Sequence, residues 1–216
     1  CIIKIDLNMI SKDIRRYTDL PSVLYMLRNK KLTLLDPSSW DDKNDSYFLE
    51  VYKKRKKLSS VYALCFTEKN ETYHHWSVFC SRENGVCVVF DRDKLIGHLN
   101  QQAGITCGPV NYRTIGDTGW PDLEIDDLPF LKRWAFRDES EFRAVYSGDA
   151  ESEETKDISL PLSCIKKISV NPWVPDQLFS AIKETIKEIE GCRSLAIGKS
   201  QLINNKSWKR YGNIIA

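Results

Sequence analysis

Two short runs, YALCF at residues 62–66 and VCVVF at 86–90, constrain the fold of this chain more than any other feature. Both are rich in β-branched and aromatic residues and both are bounded by polar residues or turn formers, the pattern of buried strands. The first sits inside the longer strand signal SSVYALCFT, and Asn84-Gly85 supplies a turn just before the second. No apolar run in the 216 residues approaches the ~20 needed to cross a bilayer. A core must therefore be assembled from many short elements.

Helical signals alternate with these strands. LPSVLYMLRN at 20–29 has Pro21 at an early helical position, with Val23, Leu24, Met26 and Leu27 as its apolar stripe, and KLTLL follows as a short strand. SYFLEVYKKRKKL predicts a second helix with its basic run outward, and NETYHHWSVFC a third, capped at Asn70 or Thr72. ITCGPVNYR and CIKKISVNP read as strands, GDTGWPDLEIDD as a loop, and LPFLKRWAF as a helix or bend. PDQLFSAIKETIKEIE, residues 175–190, is the clearest amphipathic helix, and SLAIGKSQL is expected as a closing strand with a polar exit. DAESEETKD, 149–157, reads as an acidic surface turn. With 42% hydrophobic residues the chain can bury a real core. The expected architecture is a single α+β domain over 1–216, a mixed and mostly antiparallel sheet with flanking helices.

Charge and cysteine usage narrow the setting. The formal net charge of +2 gives no global field to draw nucleic acid or membrane. The basic run at 53–57 has no aromatics interleaved for stacking bases. Seven cysteines, an odd number without paired spacing, fit free thiols in a reducing cytoplasm. No CxxC or HxxxH occurs, and the adjacent His74 and His75 would lie about 100° apart on a helix, so no metal is expected. Asp41, Asp42, Asn44 and Asp45 lack the glycine and terminal glutamate of a calcium loop and read as backbone caps. GxGxxG, GxxxxGK and GxSxG are all missing.

The chemistry concentrates in FRDESEFRAVY, 136–146. As a strand it would carry Glu139, Glu141 and Arg143 on one face. Such a triplet is either a surface charge network or an active-site strand with two carboxylates aimed into a cleft. In IRRYTD, Arg15 and Arg16 face opposite sides of a strand and only one can point inward. Arg16 with Tyr17 and Thr18 would suit an anionic, ring-containing ligand. The alternative is a surface arginine beside a core tyrosine.

Taken in order, RRYTDLPSVLYMLRNKKLTLLDPSSWDDKND, YALCFTEKNETYHHWSVFCSRENGVCVVFD, KRWAFRDESEFRAVY and IKKISVNP resemble the bacterial family called domain of unknown function 2971. The chain departs from that pattern in lacking a proline after the loop aspartate and in its longer gap between Trp134 and Glu139. A second resemblance is to ADP-ribosyltransferase folds, through Arg16-Tyr17-Thr18, Cys65-Phe66-Thr67 and Glu139-Ser140-Glu141. That resemblance implies NAD as a substrate lying across these strands. Arg16 and Thr18 would hold ribose or phosphate oxygens, Thr67 would come from the middle strand, and Tyr17, Tyr73 or Trp76 would stack on nicotinamide. Glu141 would stabilise the cationic sugar, Glu139 would orient the acceptor and Arg143 would brace the carboxylates. The acceptor could be protein, nucleic acid, a small molecule or water, and the biological setting a bacterial toxin or phage-defence effector. Two other classes stay open: a non-catalytic binding domain, and a metal-dependent nucleic-acid enzyme that needs a further inward acid such as Asp91.

Overall fold

The computed structural model describes residues 12–116, 123–149 and 154–215. Local chemistry sets the first elements. Strand β1 (Asp13–Asp19) runs into helix α1 (Leu20–Asn29), where the Asp19 carboxylate accepts from Ser22 N at 2.7 Å and Lys30 stops the helix in the left-handed region, φ 54°. Strand β2 (Lys31–Leu35) follows at once. Asp42 caps helix α2 (Lys43–Lys56), whose last turn carries Lys53, Lys54, Arg55 and Lys56, a placement that the helix dipole favours. Then come β3 (Ser60–Thr67), α3 (Tyr73–Phe79) capped by Thr72, β4 (Gly85–Asp91) and α4 (Arg92–Leu99).

The second half continues with β5 (Ile105–Pro109), β6 (Asn111–Arg113), β7 (Leu131–Arg133), β8 (Glu141–Gly148), β9 (Thr155–Ser159) and β10 (Ile165–Val170). Helix α5 (Asp176–Glu188), strand β11 (Ala196–Lys199) and helix α6 (Lys206–Ile215) complete it. The fold is a mixed α+β arrangement built on a mostly antiparallel sheet; within that sheet β10 and β11 pair in parallel, and β6 and β7 form a separate parallel pair.

The layout of β3 organises the rest. One edge of β3 pairs with β8 along its whole length, from Ser60↔Gly148 to Thr67↔Glu141. The other edge is shared: β1 meets it at Arg15↔Thr67 and β2 at Leu35↔Ala63. Between those two contacts the sheet splits. On one face Ile14, Tyr62, Leu64, Phe66, Val86, Val88, Phe90, Phe142 and Ala144 form the main core with Val23 and Leu27 of α1 and Leu95 and Leu99 of α4. Each Val, Leu, Ile or Phe of this set stabilises the fold by roughly 1.5–3 kcal/mol through burial. The opposite face is covered more thinly, by Leu49 of α2 on Val61, Ala63 and Val145 and by Trp76 of α3 on Tyr17 and Cys87.

Several expectations need adjustment. LPFLKRWAF is neither one helix nor a bend: it divides into a 3-10 turn (Ile125–Phe130), β7 and a second 3-10 turn (Trp134–Glu139). The acidic turn expected over 149–157 has residues 150–153 outside the described set, and its end is strand β9, because Thr155–Ser159 pairs with β2. Part of the 116–127 loop, 117–122, likewise lies outside it. The strand expected in SLAIGKSQL is β11, which gives way to an irregular stretch over 200–205 before the chain continues into α6. No helix among the described residues is long and apolar enough to cross a membrane.

Candidate active site

The split in the sheet opens into a cavity of about 500 Å³, within the range of small-ligand sites. Arg15, Arg16 and Tyr17 of β1, Ala63–Thr67 of β3, Leu35 of β2, His75 and Phe79 of α3, and Lys132, Glu139 and Glu141 line it. Cys65 stands between its two charged walls: its carbonyl accepts from Arg16 Nη1 at 3.2 Å, and its thiol donates to Glu141. Arg16 on β1 and Glu141 on β8 flank β3 on opposite sides, so with strands about 4.8 Å apart they face a common space across it.

The acidic wall is a network of five side chains. Arg143, fully buried, donates from Nε to Glu141 Oε1 at 2.7 Å and from Nη1 and Nη2 to the two oxygens of Asp45 at 2.9 and 2.7 Å. Its remaining contact is the Pro129 carbonyl at 2.8 Å, with Trp40 stacked over the guanidinium at 4.9 Å. Lys132 Nζ lies 2.6 Å from Glu139, 3.1 Å from Glu141 and 3.7 Å from Asp45, under the ring of Phe136. Burial works against the charge on Glu141, but Arg143 and then Lys132 outweigh it and hold the carboxyl at about 2. Burial instead dominates at Glu139 and pushes its carboxyl up, despite Lys132. Three carboxylates against two cations leave one negative charge on this wall.

Glu139 is not on the strand, contrary to the alternating pattern read from FRDESEFRAVY. It ends the 3-10 turn, Ser140 adopts φ 43°, and β8 begins only at Glu141. The turn is fastened through the Glu139 carbonyl, which accepts from Thr67 Oγ1 at 2.6 Å and lies 3.3 Å from His75 Nε2, while Glu68 N donates to Ser140 O at 2.9 Å. Thr67 thus holds the glutamate-bearing turn through its own hydroxyl. The two glutamates converge on Lys132 all the same.

The basic wall is different in kind. Arg15 is occupied by Asp13 at 3.7 Å and the Lys69 carbonyl at 3.1 Å. Among the described residues Arg16, sunk in the split, hydrogen-bonds only Cys65 O, and no carboxylate lies within 4.0 Å of it. Burial lowers its pKa, so an incoming anion would relieve a cost already present. Tyr17 stacks on His75 at 5.3 Å and meets Trp76 edge-on at 5.0 Å. Burial holds the His75 imidazole below its ordinary pKa.

Of the residues singled out from the sequence, Arg16, Tyr17, Thr67, Glu139 and Glu141 share the cavity. Trp76 does not reach it: it is fully buried behind Tyr17, with Nε1 donating to Glu71 at 2.7 Å. Tyr73 is exposed and packs on Trp173. Thr18 opens onto a second cavity instead. Arg143 is sealed behind Glu141, which removes it as a ligand contact and makes it the support for the carboxylates. Asp91 caps α4 through Lys94 N and takes no part in this network. Asp45 takes the place of the third acid, but the point where the three carboxylates meet is filled by the ammonium of Lys132. Asp45, read from the sequence as one of several backbone caps, instead gives both its oxygens to Arg143 and leaves the capping of α2 to Asp42, and Lys132 carried no signal in the sequence beyond its charge.

The low value for Glu141 has a measurable consequence. A carboxyl depressed in the folded state adds stability that is complete above its unfolded value near 4.5 and is lost as pH falls through about 2. Urea midpoints of the wild type should fall over that window relative to Glu141→Gln, whose curve should be flatter there; parallel curves would contradict this.

No family model matches the chain, and no curated protein matches it. Among solved structures it is similar to DarT of Thermus sp. 2.9. The complex with carba-NAD+ aligns with 90% of this chain and 98% of that one, at 11% identity and a TM-score of 0.48. The complex with NAD+ covers 88% and 96%, at 11% identity and 0.45. The complex with ADP-ribosylated single-stranded DNA covers 88% and 95%, at 11% identity and 0.46. At such distances any chemistry has to be read from the side chains themselves.

Proposed function

We propose that this chain cleaves the bond between nicotinamide and ribose in NAD, passing the ADP-ribosyl group to a nucleophile. The observation that carries it is the polarity of the cavity. An arginine with no carboxylate partner among the described residues forms one wall, and a wall with one surplus negative charge faces it. NAD has the matching layout, an anionic pyrophosphate near a cationic nicotinamide riboside. Arg16 grips the pyrophosphate, and Tyr17, stacked on His75, offers the nicotinamide an aromatic surface.

In the reaction the C1′–N bond breaks and its electron pair leaves with neutral nicotinamide, so that positive charge moves onto the ribose. Glu141, held ionised and rigid, supplies preorganised negative charge at that point. A hydroxyl oxygen then bonds to C1′, and its proton passes to Glu139, the carboxylate with the higher proton affinity of the pair. The acceptor is protein, nucleic acid, a small molecule or water.

One observation favours a second reading. Glu141 is only 4% exposed and both its oxygens are engaged, as in a purely structural charge network. Calorimetry separates the two. NAD should bind the wild type, and Arg16→Ala should weaken binding by tenfold or more, since charge-assisted contacts contribute about 1.5–3 kcal/mol. A wild type that does not bind NAD leaves only the structural network.

A further inference from the structure

Helix α6 is strongly amphipathic, yet its apolar face is not buried against the protein. The side chains of Lys206–Tyr211 and of Ile214 are all exposed, Trp208 and Ile214 at 77% and Tyr211 at 65%. The helix starts by a local rule, because Asn205 Oδ1 accepts from Trp208 N at 2.9 Å. At 100° per residue, Trp208, Tyr211 and Ile214 share an arc of about 120°, while Lys206, Lys209 and Arg210 share one of about 100° on the other side. The rings of Trp208 and Tyr211 pack on each other, 6.4 Å between centroids. No Asp or Glu occurs after Glu190, so the charge here has one sign although the whole chain carries only +2. A helix of 10 residues is marginal in water by itself, and an amphipathic one is ordinarily held by whatever covers its apolar face.

We infer that α6 lies in the headgroup layer of an anionic phospholipid bilayer, with Trp208, Tyr211 and Ile214 toward the acyl chains. This is independent of the NAD reading. Trp and Tyr are the side chains that settle where headgroup meets hydrocarbon. Lys209 and Arg210 flank the apolar arc, about 100° from Trp208 and about 40° from Ile214, where long stems carry their cations up to lipid phosphates. A second copy of the chain is a poorer occupant: two aromatic rings at roughly 150–250 Å² each fall short of the ~800 Å² that each partner buries in a stable interface. Single-stranded nucleic acid fits less well too. It needs cations and stacking rings interleaved along one groove, and α6 keeps them on separate faces.

Co-sedimentation of the full chain with lipid vesicles is the test. The wild type should pellet with vesicles of mixed phosphatidylglycerol and phosphatidylcholine and stay in solution with phosphatidylcholine alone. Trp208→Ser combined with Tyr211→Ser should weaken binding at least tenfold, because affinity follows the apolar area inserted. Lys209→Gln combined with Arg210→Gln should weaken it about fivefold for each charge removed. All four positions are exposed, so circular dichroism should show both double variants folded. A wild type that does not pellet with the anionic vesicles overturns the inference. Equal pelleting with both kinds of vesicle does so too, as does pelleting that either double variant leaves unchanged. Retention of a single-stranded oligonucleotide through Lys209 and Arg210, with no vesicle binding, would assign the helix to nucleic acid instead.

Discussion

Replacing Arg143 by methionine is expected to lower folding stability by roughly 3–5 kcal/mol, the cost of leaving buried charge without its counter-ion. The guanidinium is completely buried, and its donors are divided between Glu141, both oxygens of Asp45 and the Pro129 carbonyl. Methionine fills much of the volume but satisfies none of these acceptors. Two carboxylates would then share only Lys132, which already serves Glu139. The exposed pair Lys69–Asp138, 3.4 Å apart, is the comparison: Lys69→Met should change stability by no more than about 1 kcal/mol. Urea denaturation measures both. Adding Glu141→Gln to Arg143→Met should recover part of the loss, since it removes one of the stranded charges. A loss below ~1 kcal/mol for Arg143→Met would mean that the network is not the support described.

Glu139→Gln should leave the fold nearly intact and reduce the rate of ADP-ribosyl transfer by about 10²–10⁴, the usual contribution of a positioned general base. The fold is spared because the turn is held through the Glu139 carbonyl, by Thr67 and His75, and because Lys132 keeps Glu141 and Asp45 as partners. Binding of NAD should change little, so the effect should fall on kcat more than on KM. The pH dependence identifies the group. Glu139 acts deprotonated, and burial has already raised its pKa above the ordinary 4.5, so activity is lost as pH falls through that raised value. Lys132→Met removes the nearest cation and should move this acidic limb to still higher pH, whereas Lys132→Arg should keep it near the wild-type position. A profile that Lys132→Met leaves unmoved would exclude Glu139 as the base.

Much of the framework was legible because local rules govern it. The apolar runs that became β3 and β4, the Pro21 entry to α1 and a polar cap on α3, Thr72 of the two candidates Asn70 and Thr72, need no knowledge of the rest of the chain. The gathering of Arg16, Tyr17, Thr67, Glu139 and Glu141 around one hollow also followed the order of blocks in the sequence. What stayed hidden depends on partners far away in the chain. Asp45 looks like one more acid in a turn until Arg143, 98 residues on, takes both its oxygens. Lys132 sits in a segment with no clear period, broken into two 3-10 turns around a three-residue strand. The alternating pattern misplaced Glu139 because Ser140 turns the backbone into the left-handed region just before the ladder begins, which no period-two count detects. Trp76 misled for a different reason: a large aromatic beside two histidines suits a ligand platform, yet Glu71 satisfies its N–H and lets it sink into the core.

The central question for this cavity is whether it breaks the nicotinamide–ribose bond. NAD labelled in the nicotinamide ring, incubated with the wild type in a cell extract that supplies protein, nucleic-acid and small-molecule hydroxyls, gives the answer by chromatography. Free labelled nicotinamide should accumulate with the wild type and fall to the level of the same extract without added wild type or variant when a folded Arg16→Ala variant is used. Release that stays at that level with the wild type, or that Arg16→Ala leaves undiminished, would contradict it.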